Sequence, residues 1–508
     1  MSLTKEESNF TVNLEKLAKV LNQALYVFTL GSFLLAYYKS HYFYYLGSFF
    51  LFVTLLNIYY RHIQKKHALL SNFGILAQLR YLLESLGPEL RQYLFMSDTE
   101  EKPFSRLERA EVYRKSKGIE LSAAFGSLDN FGPQEIKLRH SMYPMNKQDM
   151  SPFSLTFGDL RNCPNPYTID KPFMISAMSY GSLSQPAVRA LSRGAKKSGV
   201  VMNTGEGGFP KYHLMEGADL IFQMGTAKFG VRNDDSSLND EKLKKLANEN
   251  AIKMIEIKLS QGAKPGKGGI LPKEKINKEI SELRGVPMGE DVLSPSSHIE
   301  CKSPEKTVQL IKRVQEVSQK PVGIKLCFGR RDEFQKLVEE MKSQDVFPDY
   351  IAIDGSEGGT GAAPKVFLDD VGVPIYKALV EVNNILNELN VRDRTKIIAS
   401  GKLFNAGKQM IALSLGADAI YVARGFMLSI GCIQSLLCNN NRCPVGITTH
   451  DPHLTAGLDI EDKSERAANY VRNLWKDHKE VLAALGKKQH SELNRDNLFI
   501  PFDSIASR

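Results

Sequence analysis

Two uncharged, mostly apolar runs stand near the start of the chain. No charged residue falls between Val20 and Tyr38, or between Tyr42 and Tyr60, and only Lys39, Ser40 and His41 separate the two. Each run is nineteen residues long. As a helix that is about 28 Å, close to the ~30 Å hydrocarbon core of a bilayer. Aromatic residues crowd the ends (Tyr37, Tyr38, Tyr42, Tyr44, Tyr45, Tyr59, Tyr60), as in interfacial belts. Apolar character runs round the whole of both segments, which predicts a two-span membrane hairpin and not a buried soluble one. A cleaved signal peptide fits poorly, because Glu6 and Glu7 occupy the start and a second span follows at once. Lys5, Lys16 and Lys19 precede the first span, and Arg61, Lys65 and Lys66 follow the second; the turn has Lys39 alone. The positive-inside rule then puts both ends of the hairpin in the cytoplasm.

Residues 68–165 are mixed. Leu79 to Leu94 has helical apolar spacing, with a break expected at Gly87-Pro88, and Pro152, Pro164 and Pro166 mark an irregular stretch. Beyond it the pattern changes to short apolar runs alternating with amphipathic stretches. The runs are Phe173–Ala177, Val200–Asn203, Leu220–Met224, Met254–Leu259, Val322–Cys327, Tyr350–Ile353, Ile397–Ala399 and Ala419–Ala423. Eight β-then-α units predict an α/β protein whose parallel strands close into a (β/α)8 TIM barrel, with its chemistry at the C-terminal ends of the strands. The predicted organisation is a membrane anchor over 1–67, a mostly helical flanking segment over 68–165, the barrel over 166–455 and a helical extension over 456–508.

Composition narrows the classes. With 43% hydrophobic and 24% charged residues, the 508-residue chain is neither disordered nor fibrous, and six cysteines do not make a disulfide scaffold. The net charge of +9 comes from Lys and Arg interleaved with Asp and Glu, and no nucleic-acid-binding motif is present. The densest basic stretch, Lys258 to Lys278, is rich in Gly and Pro and reads as an anion-handling loop.

Polar and glycine residues gather where the barrel's chemistry is expected. The strands run into Ser179-Tyr180-Gly181, Asn203 to Gly208, Gln223-Met224-Gly225, Lys258 with Gln261 and Lys264, Lys325, Asp354 to Gly361, Ser400-Gly401-Lys402 and Ala423-Arg424-Gly425. One glycine-rich turn means little, since glycine is the default turn residue; eight in register with eight strands mean more. No dinucleotide fingerprint or P-loop occurs in the required context. After the last strand, Cys432, Cys438 and Cys443 stand at C-x5-C-x4-C, with Pro444 behind them. Three thiolates so spaced suit iron–sulfur or zinc, with His450 as a fourth ligand for zinc, or they remain free thiols. Cys163, Cys301 and Cys327 have no such spacing.

The segments MSYGSLS (178–184), NTGEGG (203–208), QMGTAKFG (223–230), KLSQGAKPGKGG (258–269), DGSEGGTGAAP (354–364) and CIQSLLCNNNRCPVGI (432–447) resemble the flavin-binding synthase domain of glutamate synthase over about residues 170–455. The hairpin with RYLLESLGPELRQY (80–93) resembles a shorter bacterial branch, the FMN-binding glutamate synthase family proteins. The resemblance implies FMN, and a [3Fe-4S] cluster on Cys432, Cys438 and Cys443. It implies that Ser179, Asn203, Gln223 and Lys325 hold the flavin ring and ribityl chain. Gly401, Lys402, Ala423 and Arg424 would lie where the phosphate sits, with Lys402 and Arg424 either binding phosphate or serving as ion-pair partners behind it, and Ser356, Gly358 and Gly359 would also bind the cofactor. Lys258, Gln261 and Lys264 would grip a dicarboxylate, and Glu206 would orient an amine or imine.

The implied activity is reductive amination of a 2-oxo acid such as 2-oxoglutarate. With no glutaminase segment and no nucleotide fingerprint read here, ammonia and electrons are expected from outside, the latter from a ferredoxin or a partner reductase. The expected location is a bacterial inner membrane, multi-pass, with the barrel on the cytoplasmic side; homo-oligomerisation stays open. The family loop reads Gly-Glu-Gly-Gly-Gln-Leu-Pro-Gly, where this chain has Gly266-Lys267-Gly268-Gly269-Ile270-Leu271-Pro272-Lys273. That departure keeps two alternatives alive: a dehydrogenase of another amino or hydroxy acid, and a non-catalytic cofactor-binding membrane protein.

Overall fold

The computed structural model describes residues 5–64, 66–119, 122–128 and 135–501, with side chains from Lys19 onward. Lys65 and the side chains of Lys5 and Lys16 lie outside the described residues. The chain forms two compact units, divided between Ser105 and Arg106.

In the first unit, helices Lys5–Tyr38 and Phe43–Ile58 form a hairpin about a turn at the expected Lys39-Ser40-His41. The stretches Lys19–Tyr38 and Phe43–Ile63 are long and apolar enough to cross a membrane. The hairpin is inside-out relative to a soluble protein: its buried side chains include Asn22, Thr29, Ser32, Thr54 and Asn57, while Val27 and Leu30 are both 68% exposed. Thr29 Oγ1 and Thr54 Oγ1 meet across the helices at 2.9 Å. Asn57 Oδ1 accepts the Ile75 N–H at 2.8 Å, tying the following segment to the hairpin. Helix Ala77–Leu90 does not break at Gly87-Pro88, contrary to the expectation from sequence. The residue before a proline is normally pushed out of the helical region through its Cβ, and Gly87 has none.

The second unit is the barrel. Its strands are β1 (Phe173–Ile175), β2 (Met202–Asn203), β3 (Leu220–Met224), β4 (Ile252–Lys258), β5 (Val322–Leu326), β6 (Tyr350–Asp354), β7 (Lys396–Ser400) and β8 (Ala419–Val422). They pair in parallel in chain order, and β8 closes on β1. All eight fall within or across the runs expected from the sequence. Helices between them bury one apolar face; Gln185–Ser198 starts at Ser184, whose hydroxyl accepts the Ala187 N–H, and stops at Gly199 with φ 67°.

Side chains alternate across each strand, so every second residue enters the barrel. The lower interior is apolar and plugged: Met174, Val201, Ile221, Met254, Tyr350, Ile398 and Tyr421 form one core cluster with Phe157 and Ile169. Phe157 and Ile169 belong to the antiparallel pair Leu155–Phe157 and Tyr167–Ile169. Gly323 faces Tyr350 so closely that a Cβ there would lie 2.2 Å from the ring. This unit also recruits elements from both flanks of the barrel. Lys137–Leu138 pairs with Leu498–Phe499, and helix Arg106–Ser116 is joined to Ile460–Ala484 by Lys115, which reaches Asp477 at 2.5 Å.

Candidate active site at the barrel mouth

Above the apolar plug the inward-facing positions turn polar. Glu256 is fully buried and accepts three hydrogen bonds, from Asn203 Nδ2 at 2.9 Å, Gln223 Nε2 at 2.7 Å and Tyr421 OH at 2.9 Å. Lys325 Nζ lies 3.5 Å from Asp354 Oδ2, and the same oxygen accepts the Gly262 N–H at 2.9 Å. Burial disfavours the Lys325 ammonium, but Asp354 and Glu256 outweigh it and hold its pKa above the ordinary value.

Nearer the rim, Lys258 Nζ donates to Glu206 Oε1 at 2.7 Å. Burial would favour protonated Glu206; the charges of Lys258, Arg284 and Lys264 win and keep its pKa low. Glycines make the room: a Cβ on Gly225 would lie 2.3 Å from Glu206 Oε2, and one on Gly269 would lie 2.7 Å from Oε1. Lys264 is 1% exposed and donates to Ala362 O at 2.7 Å. Burial and the neighbouring Lys258 push its pKa down to about 8. Gln261 is half-buried on the same loop.

Arg284 ends helix Lys278–Arg284. One arm donates to Tyr180 O at 2.9 Å, while its buried Nε has no partner. It lines a small cavity with Ser179, Ser182, Glu206, Gly269, Ile270, Leu271, Val292 and Ser294. Two buried histidines brace this end of the barrel. His213 Nε2 donates to Met178 O at 3.0 Å and His298 Nε2 to Lys258 O at 2.9 Å. A larger cleft of about 260 Å³ lies around Asp349, before β6. Its Arg161 and Arg394 already pair with Asp349 and Asp345.

The structure thus brings Ser179, Asn203, Glu206, Gln223, Lys258, Lys264 and Lys325 to one end of the barrel. On the far side, Ser356, Gly358, Gly359, Gly401, Lys402, Ala423 and Arg424 border the ends of β6, β7 and β8. Gly359 packs against Arg424, where a Cβ would lie 2.8 Å from Cδ. Arg424 also donates to Glu357 O. Lys402 pairs with Glu108 at 2.8 Å, the ion-pair arrangement among its two expected roles. Sequence reasoning missed Glu256, Asp354 and Arg284 as site residues. Glu256 had a signal, since it lies two residues before Lys258 and so shares its face of β4. Arg284 had none, because a long loop and a helix separate it from β4.

The cysteine loop packs against the first of these turns. Ser184 N donates to Ile447 O at 2.8 Å, and His450 Nε2 donates to Gly181 O at 2.9 Å. Cys443 is buried, and Cys432 and Cys438 are half-buried. Burial and the charges of Cys438 and Cys443 push the Cys432 thiol up to about 12. Gln434, Leu436 and Asn441 all have left-handed φ of 58–61°. Such backbone costs about 1–3 kcal/mol per residue and needs a reason to persist. Among the described residues no group of three or more His, Cys, Asp or Glu side chains is gathered closely enough to hold a metal ion. The three soft donors that would hold an iron–sulfur cluster lie on one tightly wound loop, whose Cys438 O accepts from the buried Lys275 ammonium.

The polar mouth fits FMN: a fixed cation, amide and hydroxyl groups, and glycine turns that leave the backbone approachable. Comparison with known proteins agrees with the fold. The family description "Conserved region in glutamate synthase" matches residues 134–488. The glutamate synthase large subunit-like protein YerD of Bacillus subtilis is 38% identical over 495 residues, covering 87% of this chain and 94% of that protein. The archaeal-type glutamate synthase [NADPH] of a Thermotoga strain is 40% identical over 323 residues, or 63% of this chain and 60% of that enzyme. The archaeal glutamate synthase [NADPH] of Methanocaldococcus jannaschii is 38% identical over 334 residues, or 65% of this chain and 62% of that enzyme. With a family match across most of its length and a relative aligned nearly end to end, this chain belongs to the glutamate synthase family of oxidoreductases.

Proposed function

We propose that the chain is a membrane-anchored, FMN-dependent oxidoreductase that reductively aminates a 2-oxo acid such as 2-oxoglutarate, taking ammonia and electrons from outside. When bound, FMN supplies hydride transfer at N5. The observation that carries the reading is the inward polar layer of Asn203, Gln223, Glu256, Lys325 and Asp354 above an apolar plug. Lys325 supplies the positive charge that favours an anionic reduced ring. Ser179, Asn203 and Gln223 orient the ring and ribityl chain, and the β6–β8 turns from Ser356 to Arg424 receive the phosphate. Lys258, Lys264, Gln261 and the unpartnered Nε of Arg284 take the substrate carboxylates. Glu206 stays ionised beside three cations, so its part is to hold a positively charged imine nitrogen and not to protonate it.

Cys432, Cys438 and Cys443 hold a [3Fe-4S] cluster, which supplies one-electron transfer from a ferredoxin or a partner reductase. Lipid surrounds the hairpin: its apolar side chains face outward and its polar ones pair inward. Helix Ala77–Leu90 continues the apolar exterior with exposed Leu79, Leu82, Leu83 and Leu86. The deciding experiment uses detergent-solubilised protein. Its visible spectrum should combine flavin bands with a broad iron–sulfur shoulder, and photoreduced enzyme should be reoxidised by 2-oxoglutarate with ammonia. A colourless preparation would end the reading. A second reading, dehydrogenation of another amino or hydroxy acid, is favoured by apolar Ile270 in the cavity wall. Reoxidation by other 2-oxo acids, with none by 2-oxoglutarate, would select it.

A further inference from the structure

Six lysines are buried among the described residues: Lys115, Lys228, Lys258, Lys264, Lys275 and Lys325. Four of them have carboxylates. Lys115 pairs with Glu111 and Asp477, Lys228 with Glu300, Lys258 with Glu206 and Lys325 with Asp354. Lys264 and Lys275 have only carbonyl oxygens as partners. Lys264 lies at the mouth, where the proposed substrate brings its own negative charge. Lys275 does not. It is 2% exposed, and its ammonium donates to Ser182 O at 2.5 Å and to Cys438 O at 3.3 Å. It thereby bridges the turn after β1 and the cysteine loop.

A buried cation without an anion is costly, and two carbonyl dipoles do not neutralise it. On the cysteine loop the ammonium reaches Cys438 itself, through its backbone oxygen, so a charge held by that loop's thiolates would lie beside it. We propose that Lys275 is the built-in counter-charge of the iron–sulfur cluster, holding the cysteine loop against the flavin-side turn and raising the cluster's reduction potential. This rests on the cluster reading above. One-electron reduction makes the cluster and its thiolates one charge more negative, with the electron coming from the external donor and no bond broken. A fixed cation beside that charge stabilises the reduced state more than the oxidised one. Lys275 is therefore a positioning and tuning residue; no substrate contact is assigned to it.

The test is an EPR-monitored redox titration of the full-length, detergent-solubilised protein, with iron, sulfide and FMN content measured alongside. The wild type is compared with K275M, K275Q and K275R. The cluster midpoint should fall in K275M and K275Q and stay near wild type in K275R. A full cluster with an unchanged midpoint in K275M or K275Q overturns the proposal, since charge is then not what matters. If the neutral variants purify without iron but with FMN, K275R decides: a retained cluster supports the counter-charge, and a lost one overturns it in favour of plain packing. Wild-type protein with FMN and no iron is a different failure, that of the cluster reading itself.

Discussion

Replacing Lys325 with methionine removes the one cation of the inner polar layer while keeping most of the side chain's volume. Lys325 is 6% exposed, and Asp354 3.5 Å away is equally buried. With an effective dielectric constant near 20, that separation corresponds to about 5 kcal/mol of attraction. Relief of the buried ammonium returns part of it, and the Gly262 N–H still bonds Asp354. A loss of about 3 kcal/mol is expected, at the lower edge of values for breaking a buried pair. Without the cation, the buried Asp354 and Glu256 carboxylates are left without a counter-charge in a dry layer. Denaturant unfolding of flavin-free K325M measures this. FMN content and flavin reduction potential, both expected to drop, are read on the reconstituted protein. A variant with wild-type FMN content and potential refutes the role assigned to Lys325. A stability loss below about 1 kcal/mol refutes the electrostatic account of the layer.

Truncating Glu256 to alanine strands the donors of Asn203, Gln223 and Tyr421, each worth about 1–3 kcal/mol when left unmet, so E256A should lose several kcal/mol in denaturant unfolding along with its FMN. Normal flavin loading in E256A would count against the network. R284M should raise KM for the oxo acid more than tenfold with a smaller change in kcat, read in steady-state kinetics; an unchanged KM removes Arg284 from the carboxylate site. His213 and His298 are pushed by burial to about 4, and their Nδ1 atoms have no acceptor. Between that value and about 6.5 the unfolded chain binds more protons, so stability should fall as pH drops through the window, by up to about 1.4 kcal/mol per unit for each histidine. A flat profile of unfolding midpoint against pH in that range would contradict their buried, neutral state.

The barrel was readable because its signals are local. Each strand is a short apolar run ended by polar or glycine residues, and the chemistry of such folds gathers at strand ends. Asn203, Gln223, Lys258 and Lys325 could be singled out on that ground alone. The hairpin was readable for the same reason, since nineteen uncharged, mostly apolar residues in a row declare themselves without partners. Helix continuity through Gly87-Pro88 was not, because the effect of a missing Cβ on the backbone ahead of a proline outweighed a breaker signal.

What needed the closed ring was every relation between residues far apart in the chain. Glu256 becomes the hub of the polar layer only when β2, β3 and β8 bring Asn203, Gln223 and Tyr421 to it. Lys275 and Arg284, on the loop and the short helix beyond β4, become notable only once folding buries them, Arg284 with an unmet nitrogen and Lys275 without a carboxylate. Composition and periodicity record which residues are apolar, charged or turn-forming. Whether a charge is left unpaired is a property of its surroundings in space, and those are set by packing.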